Sequence, residues 1–148
     1  MGEGIWRSRR KGYKVTFIVY FMKKEINLFM RKLREMPDFH RVKIVILFGS
    51  QASGKANKMS DYDFAVYYDG SDKERFDFRK KILSIVPDKF DVHVLQDLPL
   101  YVQNEVLKGK VIYAKDLRFA YDHAYEIIKR FEDFKKYYYD YIGLERMK

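Results

Sequence analysis

From Tyr13 onward, apolar positions switch between the two-residue period of a strand and the 3.6-residue period of a helix. Tyr13 to Phe21 alternates as a strand. From Lys23 to Met36 the apolar residues Ile26, Phe29, Met30 and Leu33 fall at helical spacing, and Pro37-Asp38 ends that helix. Val42 to Phe48 (VKIVILF) is apolar almost throughout, as expected of a central strand buried on both faces. Gly49 to Ser60 is a polar turn with room for a short helix, and Asp61 to Tyr68 forms the next strand, closed by Asp69-Gly70. Ser71 or Asp72 can cap a helix that reaches Ile85 with Phe76, Arg79, Lys80 and Leu83 along it. Pro87-Asp88 breaks the chain before a strand from Phe90 to Leu95. Leu98 to Leu107 reads as a helix and Lys110 to Tyr113 as a short strand. Asp116 opens a long helix with a stripe of Phe119, Ala120, Ala124, Ile127, Ile128, Phe131 and Phe134. This alternation predicts an α/β (α+β) fold with a mixed central sheet flanked by helices. Residues 1–12 (MGEGIWRSRRKG) read as a basic, flexible tail. The expected organisation is therefore a basic N-terminal extension over 1–21 and one domain over 22–148.

Composition narrows this picture. At 148 residues with 47% hydrophobic and 18% aromatic content, the chain can fill one core. No apolar run approaches the ~20 residues that span a bilayer, and Val15–Phe21 is too short and lacks the small-residue cleavage site of a signal peptide. The absence of cysteine removes disulfides, thiolate metal sites and a cysteine nucleophile. A cytoplasmic protein is expected. The net charge of +9 is unevenly placed: residues 1–60 carry 14 Lys and Arg against 4 Asp and Glu, whereas residues 61–148 carry 16 against 17. The basic part attracts polyanions through its field, although solubility alone accounts for such a surplus.

The candidate chemistry lies in Leu47 to Val66, LFGSQASGKANKMSDYDFAV. Asp61 and Asp63 are two residues apart on a strand, so their side chains share a face while Tyr62 and Phe64 take the other. Two adjacent carboxylates repel unless a proton or cation lies between them, and Mg²⁺ is commonly held by one or two carboxylates together with substrate phosphates. Asp91, in FDVHVL, joins the same cluster if its strand neighbours Asp61–Tyr68. Asp88 is discounted because it follows Pro87 in a turn, and Asp97 because it lies past the apolar run. Gly49 lets a phosphate approach the backbone closely, and the Ser50 hydroxyl can donate to a phosphate oxygen. One end of the constellation thus suits a triphosphate and the other a bridging metal.

Gly49-Ser50, ten residues, Asp61-x-Asp63 and a later strand-borne Asp91 together resemble the nucleotidyltransferase superfamily typified by DNA polymerase beta, and within it the minimal nucleotidyltransferases (MNT). The resemblance extends from Ile26 to Asp116 and includes LPLYVQNEVLKGKVIYAKD downstream. It implies a polymerase beta-like fold and transfer of a nucleoside monophosphate, most often AMP from ATP, with pyrophosphate leaving. It further implies that Asp61, Asp63 and Asp91 ligate two Mg²⁺ ions, with Asp91 completing the second site or accepting the acceptor's proton. Gly49 and Ser50 would bind the β and γ phosphates. Members of the family commonly carry Gly-Ser-Arg-x-Arg-Gly at this turn. Here both arginines are replaced, by Gln51 and Ser53, leaving Lys55 and Lys58 as the substitute cations.

The resemblance also implies a partner. Minimal nucleotidyltransferases of this kind are commonly paired with a small helical HEPN toxin and transfer AMP to one of its tyrosines, acting as antitoxin. Two alternatives stand beside that expectation: a nucleotide-binding antitoxin that only masks its partner, and an enzyme that modifies a small molecule. His93 shares the face of Asp91, where an ordinary hydrogen bond is the expected role; His40 and His123 have no partner at ligand spacing. Tyr137, Tyr138, Tyr139 and Tyr141 suit a dimer or partner interface better than a nucleic-acid stacking platform. The run Arg7, Arg9, Arg10, Lys11 reads as a solvated tail.

Overall fold

In the computed structural model, which describes residues 3–10, 13–20, 24–56 and 61–142, six strands form one mixed sheet. They are β1 (Glu3–Arg10), β2 (Tyr13–Tyr20), β3 (Val42–Phe48), β4 (Tyr62–Tyr68), β5 (Phe90–Val94) and β6 (Lys110–Ala114), in the order β1-β2-β6-β3-β4-β5. The helices are α1 (Lys24–Arg34), α2 (Ser50–Ser53), α3 (Asp72–Ile85), α4 (Leu100–Val106) and α5 (Leu117–Ile142). β3 runs antiparallel to both β6 and β4, whereas β4 pairs parallel with β5 and β2 parallel with β6. The flexible tail expected over residues 1–12 is corrected: Glu3–Arg10 pairs antiparallel with β2 along its whole length. Its charges masked a strand, because Arg9 and Arg10 interrupt any apolar alternation.

The unbroken hydrophobicity of β3 follows from its position. Val45 and Leu47 enter one core with Phe29, Leu33, Phe78 and Ile82 from α1 and α3. Ile44 and Ile46 enter a second core on the opposite face with Val106, Ala120, Ala124 and Ile127 from α4 and α5. In the first core the Phe29 and Phe64 rings stack with centroids 3.8 Å apart. α3 opens on a capping box: the Ser71 hydroxyl accepts from the Glu74 amide at 3.2 Å, and the Ser71 amide donates to Glu74 Oε1 at 2.9 Å.

Two helical stripes differ from the expected ones. On α3 the buried residues are Phe78 and Ile82, and Phe76 is 60% exposed. On α5 the expected stripe holds as far as Ile128, with Ala120, Ala124 and Ile127 buried and Phe119 and Ile128 packed against them, whereas Phe134 further along is half exposed. A periodic pattern gives a face its angle; how far along the helix another element covers it depends on the tertiary arrangement. Tyr137 and Tyr138 are exposed near the end of α5, and the Tyr141 side chain lies outside the described residues. No helix among the described residues is long and apolar enough to cross a membrane.

Candidate active site

Alternation along β4 and β5 builds the site. Tyr62, Phe64 and Val66, with Phe90, Val92 and Val94, enter the α1/α3 core. The intervening Asp63, Asp91 and His93 are therefore directed to the other face, each half-buried. Parallel pairing sets Asp63 directly beside Asp91 in register, and Phe48 is the partner of Asp63 on its other side. Asp63, Asp91 and His93 each present a ligand atom within 4.8 Å of the others. His93 Nε2 meets Asp91 Oδ2 at 2.9 Å. The expected hydrogen-bonding role of His93 is thus present, with the metal candidate Asp91 as its partner.

After Phe48 the chain turns at Gly49, with φ 77° and ψ −154°. A side chain is strained in that backbone region, and a Cβ on Gly49 would collide with Asp63 Oδ2. Gly49 is required here because the β3–α2 turn lies against the carboxylate, leaving the backbone open to whatever Asp63 binds.

Burial, first of all, pushes the Asp63 carboxyl above its usual range; the Asp91 carboxylate beside it and the charge of Asp61 push the same way, and His93 partly offsets them. A divalent cation relieves both causes together, and the paired carboxylates are the hard oxygen donors that magnesium takes. The donor set and the open Gly49 backbone fit that ion. Asp61 lies one residue ahead of β4, exposed, and is not among the three groups that converge within 4.8 Å. Asp97, discounted as a ligand, pairs with Arg75 at 2.9 Å. Asp88 is exposed in the turn before β5.

Beside Gly49 opens a cleft of about 490 Å³, lined in part by Ser53, Lys55, Glu105 and Lys108. Lys55 thus lies where the turn meets the cleft; Lys58 lies outside the described residues. Gln51 is buried in α2, and the Ser53 hydroxyl turns back to donate to the Ser50 carbonyl at 3.2 Å.

Residues 31–118 match the family described as Polymerase beta, Nucleotidyltransferase. The chain belongs to this nucleotidyltransferase family. A relative from Methanocaldococcus jannaschii, named for an inferred protein adenylyltransferase activity, is 31% identical over 93 residues, covering 62% of this chain and 71% of the relative. Among solved structures, the nucleotidyltransferase is similar to a chain of a toxin–antitoxin crystallised with AMP-PNP: TM-score 0.64, 20% identity, 83% of this chain and 98% of that one. It is also similar to a chain from the complex of a tri-AMPylated Shewanella oneidensis HEPN toxin with its MNT antitoxin: TM-score 0.60, 18% identity, 84% of this chain and 97% of that one. At those identities the likeness is one of fold, and the fold is the polymerase beta-like one expected from the sequence. The enzyme class expected from Gly49-Ser50 and the acidic residues, a nucleotidyltransferase, is the class of the matched family.

Proposed function

We propose that this nucleotidyltransferase transfers AMP from ATP, with magnesium, to a tyrosine hydroxyl of a small helical HEPN-type partner, and so acts as its antitoxin. The observation that carries the chemistry is the pairing of Asp63 with Asp91 in register, with Gly49 pressed against Asp63. The name of the archaeal relative and the nucleotide- and toxin-bound complexes sharing this fold support the choice of nucleotide and acceptor.

Asp63 and Asp91 would hold magnesium, with Asp61 as the third carboxylate of a two-ion site. When bound, magnesium supplies charge neutralisation at the reacting phosphate and at the attacking and leaving oxygens. The chain's own groups do the rest. The Gly49 backbone and the Ser50 hydroxyl take the β and γ phosphates, and Lys55 balances their charge. Asp91 accepts the proton of the acceptor hydroxyl as its oxygen bonds to the α-phosphorus, while the bond from that phosphorus to the β-phosphate oxygen breaks and pyrophosphate departs. His93, bonded to Asp91 Oδ2, keeps that carboxylate in one orientation.

The test is to incubate the native protein with α-labelled ATP, Mg²⁺ and a small helical HEPN-type protein that it binds. Label on a partner tyrosine is expected, lost when Mg²⁺ is chelated. A partner that binds yet stays unlabelled would sink the proposal.

A second reading, neutralisation by masking, is favoured by Gln51 and Ser53, since a buried amide and an inward-turned hydroxyl offer a triphosphate no cation. It predicts that Asp63→Asn with Asp91→Asn still neutralises the partner; catalysis predicts that the double variant, though folded, does not.

A further inference from the structure

The Gly49 cleft has a second wall, and its chemistry points to a specific ligand group. Opposite the β3–α2 turn, Glu105 lies in α4, and Lys108 and Gly109 form the turn into β6. Gly109 sets the spacing: a Cβ there would run into the Leu47 carbonyl oxygen, so the turn seats directly on the end of β3. This contact brings Lys108 to the cleft that Gly49 and Lys55 enter from the other side. The lysines are 53 residues apart in sequence, and only the β3–β6 pairing makes them neighbours.

We propose that Lys108 is a binding residue for the polyphosphate end of a nucleoside triphosphate, closing on it from the wall opposite Lys55. This rests on the nucleotidyltransferase reading above. A nucleotide whose α-phosphate lies at Asp63 and Asp91 has its remaining phosphates free to extend past Gly49 into this cleft. Lys108 Nζ is held by Glu105 Oε1 at 2.9 Å, an exposed pair between neighbouring turns of chain. Such pairs contribute little to stability, so a more highly charged phosphate displaces the carboxylate readily. Glu105 keeps the ammonium over the cleft while it is empty and opposes anions too weakly charged to displace it. The arrangement therefore selects triphosphate over monophosphate. It also supplies, from a distant part of the chain, a cation that Gln51 and Ser53 do not.

Isothermal titration calorimetry of the full chain with Mg²⁺ plus ATP, and separately with AMP, tests this. Lys108→Met is expected to weaken ATP binding about three- to tenfold, the range for one solvent-discounted charge-assisted contact, and to leave AMP binding unchanged. Lys108→Arg, which keeps the charge, retains most of the ATP affinity, and Glu105→Gln, which frees the ammonium from its competitor, tightens ATP binding and leaves AMP binding unchanged. Equal loss for ATP and AMP, or native ATP affinity in Lys108→Met, overturns the role of Lys108 and leaves the proposed transferase intact. Failure of the native chain to bind ATP with Mg²⁺ overturns both. Lys108 is an exposed ion-pair residue, so its variants keep the native melting temperature, and any affinity change reads the contact itself.

Discussion

At Asp63, burial and two neighbouring carboxylates all oppose ionisation, so its carboxyl lies above the usual range. A raised carboxyl pKa means that the folded state holds the proton more tightly than the unfolded chain does. The metal-free fold accordingly loses stability as pH rises past the unfolded value of 3.8 and through the folded one. Asp63→Asn removes that cost. In EDTA at pH 7 the variant is expected to melt at or above the native temperature, whereas added Mg²⁺ raises the native melting temperature and leaves the variant's unchanged. Paired melting curves check both halves. A variant that melts lower in EDTA, or is equally stabilised by Mg²⁺, contradicts the electrostatic account. The face that Asp63 and Asp91 each take is legible from alternation alone, because a period of two leaves little freedom over which face a strand residue takes. Asp61 is less so: strand pairing begins at Tyr62, one residue beyond it, and no in-register neighbour draws it toward Asp91. His93 was visible as a face-mate of Asp91, but its bond to that residue depends on rotamers that no spacing specifies.

Elements in this chain begin and end where local chemistry directs. Ser71 was legible as a cap, and its exchange of hydrogen bonds with Glu74 explains the start of α3. Ser71→Ala should cost about 1 kcal/mol, measurable by urea denaturation. Glu74 gains further from a partner that sequence does not suggest, the Arg41 guanidinium at 2.8 Å. The Ser71 backbone amide first, then Arg41, hold its carboxyl down at about 2, against 4.5 for an unperturbed glutamate. This stabilisation is fully present above pH 4.5 and is lost as pH falls toward 2. Unfolding free energies across that window should fall more steeply for the native protein than for Glu74→Gln; coincident slopes would refute the assignment. Other links between elements were hidden because they join sequence-distant groups. Gln96, polar and unremarkable in sequence, accepts from the Tyr68 amide at 3.1 Å and donates to the Tyr68 carbonyl at 2.5 Å. It thereby extends the β4–β5 pairing past the strand ends. At the outer edge, Arg79 Nε donates to the Val92 carbonyl at 2.7 Å, covering a position where another chain could pair.

Across the whole molecule, the distribution of charge separates what net charge describes from what the site does. β1 and β2, which together carry Arg7, Arg9, Arg10 and Lys14 against Glu3, form one edge of the sheet, and β4 lies three strands from β2. That separation, about 14 Å at the usual strand spacing, exceeds the Debye length of roughly 8 Å in physiological salt. The charge on β1 and β2 is therefore largely screened at Asp63 in physiological salt. Mg²⁺ with ATP at a hundred times its dissociation constant should stabilise the fold by about 2.7 kcal/mol, read as a thermal shift that EDTA abolishes. An equal shift with ATP in EDTA would place binding on the basic edge. By itself the sequence determined the alternation of strands and helices, the two faces of each strand, the glycine turn and the acidic residues beside it. These are properties of neighbours along a chain, governed by backbone geometry with short repeat lengths. Only the tertiary structure decided that Asp63 stands in register with Asp91, that residues 3–10 extend the sheet, and that Gly109 seats Lys108 across from Lys55. Those contacts follow from strand order and helix reach, and many sequence-distant residues packing together set both.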